Sequence, residues 1–213
     1  MTQDEIKATS GTLVIAGSET SATLLSGAIY YLLENPTWLS KLQLEVRTMF
    51  FTESQITFAT TNLLKITNAV IHETFRLYPP VPIALPRVVP REGATVAGTY
   101  VPPDTKIGIP QYAANRSSRN FTNPEKYAPE RFLGDGIYTN DKRSVIQPFS
   151  VGPRNCIGQN LAWAEIRTIL ARLVWHFDFE ILDASRNWEK QKVFVLWEKP
   201  SLMVKLKVRQ GAA

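Results

Sequence analysis

A chain of 213 residues, 44% of them hydrophobic, is long enough for one substantial core and too apolar to be disordered. Its 24 basic and 19 acidic residues leave a net charge of +5, scattered without the basic run a nucleic-acid partner needs; a mildly basic face suits an acidic protein, ligand carboxylates or an anionic membrane instead. The single cysteine, Cys156, excludes an internal disulfide and fits a reducing compartment or a cytosol-facing domain.

The start, Met1-Thr2-Gln3-Asp4-Glu5, is too acidic for a signal peptide. The longest purely apolar run, Ala28 to Leu33, falls far short of the roughly 20 residues of a membrane-spanning helix. Thr2 and Glu5 have capping-box spacing and predict a helix running to Leu33. Little charge interrupts it, which predicts burial on most sides, and Glu19 is an interior carboxylate that needs a reason. Asn35-Pro36 stops this helix and starts a second, to about Arg47. A third is expected from about Thr60 to Leu77, ahead of Tyr78-Pro79-Pro80.

From Val81 to Pro110, prolines and glycines separate β-prone runs at 81–85, 87–89, 95–101 and 106–109, which predicts a small irregular sheet. A loop-rich stretch, 115–152, follows. The last helix is expected from about Ile157 to Phe177, with Ile166, Ile169, Leu170, Leu173 and Phe177 on its buried face. Val193–Val195 and Leu202–Val208 suggest a closing hairpin. The fold class is α+β, mostly helical, with a segregated sheet. His72 and His176 have no carboxylate or cysteine at metal-ligand spacing and receive no role.

The segment that carries chemistry is Phe149-Ser150-Val151-Gly152-Pro153-Arg154-Asn155-Cys156-Ile157-Gly158. A thiolate ligand to a metal needs a deprotonated sulfur, and a helix N-terminus favours negative charge. Gly152 and Gly158 allow tight backbone and close approach of a flat ligand. Phe149 can shield the sulfur from water, and Arg154 can pair with a ligand carboxylate. A lone cysteine is usually an inert core residue. Phe, Gly, Arg, Cys and Gly at this spacing before a helix are not an ordinary loop.

This segment resembles the haem-binding signature of the cytochrome P450 family, Phe-x-x-Gly-x-Arg-x-Cys-x-Gly. The resemblance implies haem b, with Cys156 as the axial ligand of its iron. Two further motifs agree. Glu73-Thr74-Phe75-Arg76 lies on the third helix, where residues three apart share a face, and resembles the family's Glu-x-x-Arg. The family joins that pair to an arginine of a downstream loop, here Arg131 in Pro129-Glu130-Arg131-Phe132, as a buried structural network. Ala16-Gly17-Ser18-Glu19-Thr20-Ser21 resembles the distal-helix motif. It implies that Ala16 and Gly17 leave room over the iron, that Thr20 hydrogen-bonds dioxygen or water, and that Glu19 relays protons. A helix-packing stripe of small residues is the plainer reading of that segment alone.

Arg87 matches an arginine that members place on a haem propionate. Val81, Ile83, Ala84, Leu85 and Phe194, Val195, Leu196 resemble substrate-lining segments and read equally well as core. Asp104, in Pro102-Pro103-Asp104-Thr105, replaces the glycine of a family turn. The resemblance runs from Thr2 to about Val208, and residues 1–213 are expected to be the C-terminal haem-binding portion of a fungal, microsomal-type member without its N-terminal half. It implies a monooxygenase acting on a small lipophilic organic substrate with O2. Electrons would come from NADPH or NADH through a reductase, at the endoplasmic reticulum membrane, with no anchor in this chain. Two other readings stand beside it: an inactive fragment that binds haem weakly or not at all, and a thiolate-haem isomerase or dehydratase. Glu19 and Thr20 argue against the last.

Overall fold

In the computed structural model, which describes residues 1–209, helix α1 (Gln3–Glu34) starts at the expected capping box. Thr2 Oγ1 accepts the Glu5 N–H at 3.2 Å, and the Glu5 carboxylate accepts the Thr2 N–H at 2.7 Å. Burial on most sides holds only for its second half, where Ser21, Thr23, Leu24, Gly27, Ala28, Tyr30 and Leu32 are buried. Residues 1–18 are exposed. An apolar helix face demands a partner, yet Leu13, Val14 and Ile15 of this half are exposed. The helix persists there on its own hydrogen bonds, including side-chain bonds from Thr12 to the Ala8 carbonyl and from Ser18 to that of Val14.

Asn35-Pro36 breaks the chain as expected, and α2 (Pro36–Met49) buries Trp38, Leu42 and Val46, one helical turn apart. The single helix expected at 60–77 is two: a one-turn α3 (Phe58–Thr61) and α4 (Lys65–Leu77). The interruption has a cause on another element. Glu45 of α2 accepts the N–H groups of Ile66 and Thr67 at 2.7 and 2.8 Å, and so caps α4 afresh. From Glu73 to Leu77 every residue of α4 is buried. It is the central helix, packed on α1, on α2, on the short helix Pro129–Phe132 and on α6 (Gln159–His176). On α6, Ile166, Leu170, Ala171, Val174 and Trp175 are buried, whereas Ile169, expected on that face, is exposed. Arg47 binds the end of α6 through the carbonyls of Val174 and Phe177, at 3.0 and 2.9 Å.

The expected sheet resolves into separate two-stranded ladders. β1 (Arg87–Val88) pairs antiparallel with β4 (Lys106–Ile107), and β2 (Ala94–Val96) with β3 (Thr99–Val101). Residues 81–85 form no strand. Asp104 has φ +61°, the left-handed backbone that glycine adopts freely and aspartate tolerates. The helix α5 (Gln111–Asn115) follows. The expected closing hairpin is absent, because each half has another partner. β8 (Val204–Val208) pairs with β5 (Phe177–Ile181), and β6 (Lys192–Val193) with β7 (Trp197–Glu198).

The main core gathers α1, α2, α4 and α6 around Leu24, Leu42, Ile71, Phe75 and Leu170. A second cluster, Tyr30, Tyr78, Trp188 and Trp197, fastens the β6–β7 hairpin to the molecule. Trp197 stacks on Tyr78 with ring centres 4.7 Å apart and donates its indole N–H to the Pro79 carbonyl at 2.8 Å. Among the described residues no helix is long and apolar enough to cross a membrane.

Candidate functional site

The cysteine loop is shaped by its backbone before its side chains act. Gly152 has φ +78° and Ser150 φ +59°, so the chain turns twice through the left-handed region. Gly152–Arg154 form a short helical turn, and Asn155 N–H bonds back to the Gly152 carbonyl at 3.0 Å. The Cys156 N–H is donated to the Phe149 carbonyl at 2.8 Å, which closes the loop on itself. Phe149 anchors it below, with its ring 5.4 Å from Phe75 of α4 and 6.3 Å from Trp163 of α6. The thiol is exposed, just ahead of α6. A Cβ on Gly158 would lie 3.9 Å from the Cys156 sulfur, so glycine keeps the space beside the sulfur open.

Around this thiol the loop shows groups that suit a flat, apolar ligand bearing carboxylates. Ile157 is 96% exposed, and Val151 and Leu161 are exposed too. Arg154 is exposed. Among the described residues, the Arg87 side chain reaches only the carbonyl of its neighbour Pro86, at 3.1 Å. On α1, Ala16 and Gly17 are exposed, and a Cβ on Gly17 would meet nothing within 4 Å. Thr20 donates its hydroxyl to the Ala16 carbonyl at 2.6 Å. Its proton is thereby committed, and its oxygen is left as an acceptor. Glu19 pairs with Lys199, a residue that sequence reasoning missed because a lysine 180 positions away leaves no local signal. Phe194 and Val195, at the tip of the β6–β7 hairpin, are exposed, as is Leu85, so the plain core reading fails for these three.

Glu73, Arg76 and Arg131 come together as expected, each with 0% exposure. Glu73 Oε1 accepts from Arg76 at 2.7 Å, from the Ala128 N–H at 2.8 Å and from Arg131 at 3.3 Å; Oε2 accepts from Arg76 at 2.8 Å. The remaining guanidinium N–H groups reach the carbonyls of Asn115, Asn123, Pro124 and Lys126 and the carboxylate of Asp141. Burial pushes the Glu73 carboxyl up, against the pull of Arg76, the Ala128 N–H and Arg131. Every partner is a donor, so the arrangement satisfies the carboxylate form.

His72 packs between Phe132 and Trp163, with ring centres 5.1 and 4.9 Å away. Burial, helped by the nearby Arg167, lowers its pKa to about 4. Together with Phe149, Gln159 and Trp163 it lines a cleft of about 410 Å³ beside the cysteine loop.

The description of one protein family, Cytochrome P450, matches residues 1–206. The chain belongs to the cytochrome P450 family. Among curated relatives it is 48% identical over 211 residues to cytochrome P450 monooxygenase astA of Talaromyces wortmannii, covering 99% of this chain and 43% of that protein. It is 46% identical over 214 residues to averantin hydroxylase of Aspergillus parasiticus, covering 98% and 43%. To fusicoccadiene 8-ol C-16-hydroxylase of Phomopsis amygdali it is 44% identical over 211 residues, covering 99% and 40%. The chain thus spans about two fifths of the length of these relatives. Haem and electron supply from a reductase are general properties of P450 proteins.

Proposed function

We propose that this chain is the haem-binding portion of a P450 monooxygenase, inserting one atom of O2 into a small lipophilic organic substrate. Electrons would come from NADPH or NADH through a reductase, and the whole protein would work at the endoplasmic reticulum membrane. The observation that carries the reading is the exposed Cys156 thiol on a loop closed by its own backbone at the head of α6. Haem fits the donor set: a soft sulfur ligand, the guanidinium groups of Arg87 and Arg154 for its carboxylates, and exposed Val151, Ile157 and Leu161 for its apolar surface. Once bound, haem supplies the activation of O2, which these side chains lack.

The chain's own residues then have separate tasks. Cys156 would hold the iron as thiolate, and Phe149 would screen the sulfur from water. Gly152 and Gly158 let the loop lie close. Ala16 and Gly17 would leave room for the bound group. The Thr20 oxygen, its O–H already donated to the Ala16 carbonyl, would accept from a water. Glu19, with Oε1 held by Lys199, takes up and passes on a proton at Oε2. The Glu73–Arg76–Arg131 network holds the loop region beneath the site.

Expressed with haem, reduced and exposed to carbon monoxide, the chain is expected to show the red-shifted Soret band of a thiolate-ligated iron. Cys156→Ala should abolish it, and a variant that kept the band would exclude Cys156 as the ligand. The exposure of residues 1–18 favours one second reading, a polypeptide that holds haem weakly or not at all. Absence of any haem spectrum in the unaltered chain would decide for it.

A further inference from the structure

Glu19 is held at both ends by one lysine. Lys199 Nζ donates to Glu19 Oε1 and, at 2.8 Å, to Thr23 Oγ1. Thr23, itself buried, donates its hydroxyl to the Glu19 main-chain carbonyl at 2.7 Å. The ammonium therefore binds the Glu19 side chain directly and its backbone through Thr23, in a closed ring of contacts.

An exposed ion pair would deserve no function, because such pairs contribute little and move freely. This one differs in two respects. The Lys199 side chain is only 18% exposed, although that of Glu19 is 41% exposed. Its backbone is also anchored on either side: Trp197 donates to the Pro79 carbonyl at 2.8 Å, and the Trp188 indole to the Pro200 carbonyl at 2.9 Å. With both flanks fixed, only the side-chain rotamers of the lysine remain to be ordered over α1.

We propose that Lys199 is a positioning residue for Glu19: it fixes Oε1 against α1 and leaves Oε2 as the one oxygen through which a proton passes. The proposal rests on the relay reading of Glu19 given above. The lysine acts through Glu19 and touches no reacting atom.

Zero-length carbodiimide coupling of the unaltered chain, mapped by peptide mass spectrometry, tests the geometry without haem. A Glu19–Lys199 link is expected, with the exposed Lys126–Glu130 pair, 3.5 Å apart, as internal standard. In the haem-loaded protein, Lys199→Met and Glu19→Gln should each raise the share of electrons lost to hydrogen peroxide several-fold. The double variant should be no worse than Glu19→Gln alone, and Lys199→Arg should restore coupling, as a purely structural lysine would not require. A missing link, an additive double variant, or normal coupling in Lys199→Met beside a leaky Glu19→Gln overturns the role of Lys199 and leaves the relay standing. Normal coupling in Glu19→Gln overturns both.

Discussion

Glu73 has no spare bond to give up. Two guanidinium groups and an amide converge on its carboxylate, out of reach of water. Glu73→Gln would leave Arg76 as a buried cation without its counter-charge and Arg131 with Asp141 alone. Denaturant unfolding should show a loss of about 3–5 kcal/mol. Arg76→Lys should cost nearly as much, because an ammonium cannot span the carboxylate and the carbonyls of Asn115, Pro124 and Lys126 together. His72 gives a different signature. Its folded pKa of about 4 lies below the ordinary 6.5, so the unfolded chain takes up the proton first as the solution is acidified. The contribution of His72 is full above about pH 6.5 and is lost as the pH falls toward 4, up to about 3 kcal/mol. His72→Phe should remove that part of the slope when unfolding midpoints of the two proteins are compared across this window. The Glu73–Arg76 spacing was legible on the helix, and their junction with Arg131 through the family resemblance alone. Asp141 and the carbonyls were not, since a loop's hydrogen bonds have no period.

At the scale of elements, what could be read locally was read well. The capping box at Thr2 and the break at Asn35-Pro36 both lie within a few residues of their cause. The split between α3 and α4 does not: its agent, Glu45, sits on another helix. Glu45→Ala should leave two amides of α4 unpaired and cost about 1–2 kcal/mol, seen as a lower thermal midpoint. The C-terminal strands were misassigned for a related reason. Alternation identifies a strand but not its partner, and β8 found β5 rather than β6. The β6–β7 hairpin is too short to stand alone and depends on Trp197. Trp197→Ala should cost about 3–5 kcal/mol and make the hairpin the first site of limited proteolysis; Trp197→Phe, which keeps the packing and loses one hydrogen bond, should cost about 1 kcal/mol.

Over the whole molecule the apolar surface is unevenly spent. Leu13, Val14 and Ile15 stand in solvent on α1, as do Val151, Ile157 and Leu161 around the cysteine loop. The sequence carried the demand for burial at 1–18 but could not show that nothing described here meets it. Lysine at Leu13 and Val14 should raise the concentration at which the chain aggregates, measured by light scattering. The unfolding free energy should change by less than about 0.5 kcal/mol, because no packing is lost.

Residues 115–141 contain almost no regular structure, yet Arg76 of α4 holds the carbonyls of Asn115, Pro124 and Lys126 from inside the core, and Arg131 of the stretch itself reaches in to Glu73. Such a stretch would ordinarily trade its amide protons with solvent within moments. Here it cannot open without pulling Arg131 off Glu73 and leaving the buried Arg76 without its carbonyl partners, so its opening is tied to that of α4. In heavy water the Ala128 amide, bound to Glu73, should retain its proton as long as the slowest amides of the central helix, and the loop should behave as part of the last unit to come apart.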